Sequence, residues 1–116
     1  MEPEIPKNTR QTLQRLIRAF NPEQIILFGS YAKGTTHASS DVDFLVIVNL
    51  VGNPAIHRRR ARQLTSDCFP SVDIVFASPE EVSTATTLKS PFLASILGRG
   101  KMVYSRIEPV SNKYLA

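Results

Sequence analysis

The stretch "DVDFLVIV", residues 41–48, restricts the possible folds of this chain more than any other. Phe44 to Val48 is an unbroken apolar run. A strand covered on one face alternates apolar with polar residues. A strand with no polar residue in its run is buried on both faces. The sheet that holds it therefore needs cover on both faces. Two acids, Asp41 and Asp43, stand at the start of the run. Residues two apart on a strand share a face, so both carboxylates point the same way. Acids at the mouth of a core strand are held rigidly, as a binding site requires.

The rest of the chain supplies the covering layers. From Asn8 the pattern is helical, with Leu13, Leu16, Ile17 and Phe20 on one stripe. Arg10, Arg15 and Arg18 point elsewhere, and Asn21-Pro22 ends the helix. Ile25 to Phe28 reads as a strand and Ser30 to Lys33 as a short helix. Gly34 would be its stop, followed by a polar loop over 35–40. The second strand spans Asp43 to Val48. A helix is expected from Pro54 to about Asp67, with a thin apolar side of Ala61, Leu64 and Cys68 and with His57 on the same stripe. Ser71 to Phe76 is a third strand. "SPEE", Ser78 to Glu81, is a capping box that starts a helix to about Ala85. Ser90-Pro91 starts another, carrying Phe92, Leu93, Ile96 and Leu97, with Gly98 as its stop. Lys101 to Tyr104 is expected as a short edge strand. Helices alternate with strands, so the class is α/β with a small mixed sheet packed against helices. At 116 residues the expectation is one domain over 1–116, with 1–7 and 106–116 as loose tails.

Composition narrows the partners. The net charge of +4 favours either an anionic partner or mere solubility, and the sequence leaves both open. Cys68 is the single cysteine, so no disulfide can form within the chain, which fits a reducing compartment. It reads as a small buried residue rather than a nucleophile. The N-terminus has no apolar signal region, and the run 44–48 is far too short to cross a bilayer. The cytoplasm is the expected location, without a membrane partner. "HRRRAR", residues 57–62, is the densest charge. It is either a solvated helix face or a surface for an acidic partner. Nucleic acid is the less favoured partner, because no aromatic residues are interleaved for base stacking. His57 has no Cys or His partner placed for metal binding and reads as a half-buried helix residue.

The chemistry lies between the first two strands. Gly29-Ser30 after a strand and before a helix is the layout of a phosphate cradle, since glycine lets backbone approach an anion closely. A purely structural glycine explains the same residues. The acids add weight. Two carboxylates side by side repel each other, and a divalent cation relieves the repulsion. Magnesium suits carboxylates combined with phosphate oxygens. Asp73, in "SVDIVFAS", is a third acid inside a strand pattern, where propensity disfavours it. An ion pair or a cap could account for it. If the third strand pairs beside the second, Asp73 falls next to Asp41 and Asp43, and three carboxylates can hold two metals, or one metal and a base.

"GSYAKG", a six-residue spacer, "SDVDFLVIV" and the later "VDIVF" together resemble the DNA polymerase beta-type nucleotidyltransferase superfamily. The short chain is similar to its minimal nucleotidyltransferases, which pair with HEPN-domain proteins in toxin–antitoxin modules. The resemblance is carried by residues 25–48 and 71–76. "SPFLASILGRGKMVY" looks like the closing helix and strand. It implies that Gly29, Ser30 and Gly34 hold the nucleoside triphosphate, while Lys33 meets a phosphate or is solvated. It implies that Asp41, Asp43 and Asp73 are catalytic and bind magnesium, as two ions, with Asp73 a ligand or the base. The implied reaction is attack of a hydroxyl on the α-phosphate of ATP, and the implied acceptor is a tyrosine of a cognate HEPN toxin. Two other readings remain: a non-catalytic antitoxin that acts by binding, or transfer to an RNA or small-molecule hydroxyl. A chain this short leaves little room for a second domain to shape a small-molecule pocket. The acceptor is therefore expected on another macromolecule.

Overall fold

The strand that Asp41 precedes and that carries Asp43 is the second of four among the described residues, and it lies inside the sheet. The computed structural model describes residues 9–33, 41–68, 71–84 and 90–106. In chain order the elements are α1 (Thr9–Phe20), β1 (Gln24–Phe28), α2 (Ser30–Lys33), β2 (Val42–Ile47), α3 (Pro54–Leu64), β3 (Val72–Ala77), α4 (Pro79–Thr84), α5 (Pro91–Arg99) and β4 (Lys101–Ser105). The sheet order is β3-β2-β1-β4. β1 runs antiparallel to β2 and to β4, while β2 and β3 are parallel. The sheet is therefore mixed, and among the described residues β3 and β4 are its edges.

Both faces of β2 are covered, as its unbroken apolar run requires. Val42, Phe44 and Val46 pack with Ile25 and Leu27 of β1 under Leu13, Leu16 and Phe20 of α1. Leu45 and Ile47 face the other way, against Ile26, Ala77 and Ile96 of α5. Each fully buried side chain of this size contributes about 1.5–3 kcal/mol. The α1 stripe is wider than its apolar residues suggest, because Thr9 and Thr12 are buried beside them. Cys68 is half-buried, with its Sγ 2.9 Å from Thr12 Oγ1.

Three element ends differ from the sequence expectation. α3 stops at Leu64, not near Asp67. Thr65 turns its N–H and Oγ1–H back onto the Ala61 carbonyl, at 3.2 and 2.9 Å, and closes the helix. Asp67, beyond that turn, is held by Arg15 of α1 at 2.6 Å. α5 ends at Gly100, not Gly98. A Cβ at Gly98 would meet nothing, whereas one at Gly100 would lie 2.5 Å from Ile26 Cγ2 and 2.6 Å from the Ile96 carbonyl oxygen. The glycine that tertiary packing demands is the second one. Arg106, expected to begin a loose tail, donates its backbone N–H to the Glu23 carbonyl at 2.7 Å and its guanidinium to the Asn21 carbonyl at 3.3 Å. The expected tails at 1–7 and 107–116, the loop 35–40 and Gly34 lie outside the described residues. The capping box is formed in both directions, with Ser78 Oγ accepting from Glu81 N–H and Glu81 accepting from Ser78 N–H, each at 3.0 Å.

Candidate active site

β1 ends at Phe28, and the chain must turn at once into α2. Gly29 makes that turn with φ +75°, in the left-handed region that favours glycine. Its missing side chain matters for a second reason. A Cβ on Gly29 would collide with the carboxylate of Asp43. A side chain at this position would force that carboxylate to turn away. α2 then begins at Ser30, which is half-buried, and closes with Lys33 N–H on the Gly29 carbonyl at 3.2 Å. Lys33 is exposed.

Asp43 sits one residue into β2, opposite Phe28 on one side and Asp73 on the other. In a parallel pair, residues in register present their side chains to the same face. Asp43 and Asp73 are thus neighbours, and Asp41, two residues earlier, joins them on that face. Asp41 and Asp73 are exposed and Asp43 is half-buried. Burial raises the pKa of Asp43 to about 6, and the adjacent charges of Asp73 and then Asp41 push in the same direction. The three carboxylates therefore act on one another through space, and the most buried one bears the strain.

Among the described residues no three His, Cys, Asp or Glu side chains close around a point to hold an ion by themselves. The donor set nevertheless suits magnesium. That ion takes one or two carboxylates, keeps waters, and completes its shell with substrate phosphates. A cation here would relieve the mutual repulsion that raises the Asp43 pKa. Of the residues singled out from sequence, Gly29, Ser30, Asp41, Asp43 and Asp73 come together at the β1–α2 corner and the N-terminal ends of β2 and β3. Lys33 lies at the far end of α2.

Two features of the neighbourhood were not read from sequence. Phe28, the partner of Asp43 in register, meets Phe92 of α5 edge to face with ring centroids 6.3 Å apart, and Phe92 is 57 % exposed. Helical spacing assigned Phe92 to an apolar stripe and gave no hint of this position. A cavity of ≈ 200 Å³ places Asp73 on a common wall with Arg58 and Arg62 of α3. The density of "HRRRAR" was the available signal. The strand order that brings it near Asp73 was not.

The family profile described as "Polymerase beta, Nucleotidyltransferase" matches residues 11–109. A Methanocaldococcus jannaschii protein assigned as a protein adenylyltransferase is 32 % identical over 101 residues, covering 81 % of this chain and 67 % of that one. A Sulfolobus solfataricus protein assigned as a nucleotidyltransferase superposes with a TM-score of 0.61 over 90 % of this chain and 84 % of its own. At 16 % identity it speaks for the fold alone. A toxin–antitoxin structure with AMP-PNP is 25 % identical, with a TM-score of 0.56 over 84 % of this chain and 74 % of that one. With the profile spanning most of its length, the chain belongs to the polymerase beta nucleotidyltransferase family.

Proposed function

We propose that the chain is a magnesium-dependent enzyme that transfers AMP from ATP to a hydroxyl, and that the hydroxyl is a tyrosine of a cognate HEPN toxin. The observation that carries the reading is the register of β2 on β3, which sets Asp73 beside Asp43 at the glycine corner. The M. jannaschii relative is assigned to protein adenylylation, and structural relatives come from toxin–antitoxin pairs. A cytoplasmic setting goes with this reading. Among the described residues no helix is long and apolar enough to cross a membrane.

In this reading Gly29 and Ser30 receive the phosphates, since the close backbone and the Ser30 hydroxyl are donors for an anion. Asp41 and Asp43 would hold magnesium, which when bound neutralises charge on the phosphates. Asp43 lies close against Gly29, so the carboxylate end of the site would adjoin the phosphate end. Asp73 is exposed and reachable by a macromolecular acceptor. It would be either a further ligand of the metal or the base that takes the proton from the acceptor oxygen as that oxygen attacks the α-phosphorus. The bond to the bridging oxygen then breaks, and pyrophosphate leaves.

The test is incubation of the chain with its co-purified partner, magnesium and α-labelled ATP. Label should move to the partner with the wild-type chain and not with the Asp41→Asn, Asp43→Asn double variant. Transfer by that variant would remove the carboxylates from the mechanism. Neutralisation of a toxin that survives loss of all three acids would favour a binding antitoxin instead.

A further inference from the structure

The two edges of the sheet are finished differently. β4 starts with the exposed Lys101 and pairs with β1 through an irregularity at Ile25/Ile26. Lysines and bulges are devices that keep an edge from pairing with another strand. β3 pairs with β2 without a break from Val72 to Ala77, and it holds neither lysine nor proline. Its single charge, Asp73, lies at the site already described.

Among the described residues no strand pairs with the outer side of β3, which leaves that side available for hydrogen bonds. The carbonyls of Ser71 and Ala77 accept from Val42 N–H and Val48 N–H of the β2 segment, both at 2.9 Å. Backbone groups alternate sides along a strand. Odd-numbered residues of β3 therefore turn toward β2. Val72, Ile74 and Phe76 present their N–H and C=O groups to the outside. Two cavities run along this side, the one of ≈ 200 Å³ at Asp73 and another of ≈ 440 Å³ reaching Phe76, Ser78 and Glu81. Arg58 lines both, and Arg62 lines the first.

Among the described residues no side-chain hydrogen bond or ion pair holds Arg58 or Arg62. Arg60, between them, stacks on Phe20 at 5.4 Å from the ring centroid. Among the described residues neither Arg58 nor Arg62 has an acidic partner, the ion pairs there being Arg15–Asp67 and Arg106–Glu23. Arg58 and Arg62 lie one turn apart, a rise of about 6 Å along α3. Alternate side chains of an extended strand are spaced by about 6.6 Å. The two spacings match.

We propose that the outer edge of β3, roofed by Arg58 and Arg62, docks an extended segment of a partner protein that carries acidic residues at alternate positions. The segment adds as a strand to β3. Its backbone pairs with Val72, Ile74 and Phe76, and successive same-face carboxylates meet the two arginines. This is strand addition, in which backbone pairing supplies affinity and side chains supply selectivity. The inference stands on the edge and the arginines and does not require that AMP be transferred.

The test uses the full chain and a short soluble peptide of alternating glutamate and valine, with a lysine–valine peptide as control. Saturable binding of the acidic peptide should weaken by at least about tenfold in the Arg58→Glu, Arg62→Glu variant, and it should weaken with added salt. Both positions are exposed, so the variant should keep its fold. Hydrogen exchange at the Val72, Ile74 and Phe76 amides should be fast in the free chain and slowed by at least about tenfold when peptide is bound. Failure to bind, or binding that leaves these amides fast, overturns the proposal. Slow exchange in the free chain does so too, by showing the edge already covered. Concentration dependence of that protection would identify a second copy as the cover, and its absence the chain itself. A single-stranded oligonucleotide that displaces the peptide while the amides stay fast would assign the arginines to nucleic acid instead.

Discussion

Val42, Phe44 and Val46 alternate along β2 with Asp43, Leu45 and Ile47, so six consecutive residues build two surfaces. Toward α1 the surface is sealed, with Val42, Phe44 and Val46 fully buried. Toward α5 it begins with a half-buried carboxylate next to two more, and only then becomes core. One backbone holds both. The sealed face fixes the register, because a slip of one residue would turn Asp43 into the core and Phe44 out of it. The strained face inherits that rigidity, and three like charges stay close although they repel. The difference teaches that the site's precision comes from the opposite side of the sheet.

The comparison is sharpest where a single substitution affects one face alone. The largest effect is expected from Asp43→Asn, which should lower AMP transfer by about 10³-fold or more, equivalent to about 4 kcal/mol in the barrier, with an unchanged circular dichroism spectrum. A large loss of structure would mean that the faces are not separable. Phe44→Ala acts on the sealed face and should destabilise by about 3–5 kcal/mol in urea unfolding. Gly29→Ala touches the contact between the corner and Asp43. Its φ disfavours a side chain and its Cβ collides with the Asp43 carboxylate, so a loss of about 2 kcal/mol is expected together with weaker ATP binding by calorimetry.

The smallest effect has the opposite sign. Asp43 keeps its proton up to about pH 6 in the folded chain. In the unfolded chain an aspartate loses it near pH 4. Between these values the folded state binds more protons, so stability falls as pH rises through the window. Below it the wild-type chain and Asp43→Asn should melt alike. Above about pH 6 and without divalent ions, Asp43→Asn should be the more stable by about 1 kcal/mol, once solvent screening of this half-exposed group is allowed for. A more stable but inactive variant is the expected mark of a strained site. Equal melting at high pH would show that the carboxylates do not oppose folding.

Much of the sealed face was legible in sequence because it rests on local periodicity. The apolar run at Phe44–Val48, the α1 stripe and the Ser78–Glu81 box all appear where patterning puts them. The strained face was legible only in part. Asp41 and Asp43 announce themselves by spacing, but Asp73 is meaningful only once β3 pairs parallel to β2, and strand order is not written in any local window. The end of α5 was misplaced for the same reason, since Gly98 and Gly100 look alike until Ile26 approaches the second. Thr9 and Thr12 are buried polar residues that a hydrophobic stripe does not count. The nearness of Arg58 and Arg62 to β3 again depends on how α3 packs.

The claim that these carboxylates form one site for AMP transfer is tested most directly at Asp73, which the others do not predict by sequence proximity. Wild-type chain, magnesium and the co-purified partner are incubated in parallel with α-labelled and γ-labelled ATP, and the same is done with Asp73→Asn. The account predicts label on the partner from α-labelled ATP alone, with loss of about 10²-fold or more in the variant and its melting temperature retained. Label from γ-labelled ATP, or undiminished transfer by Asp73→Asn, would contradict it.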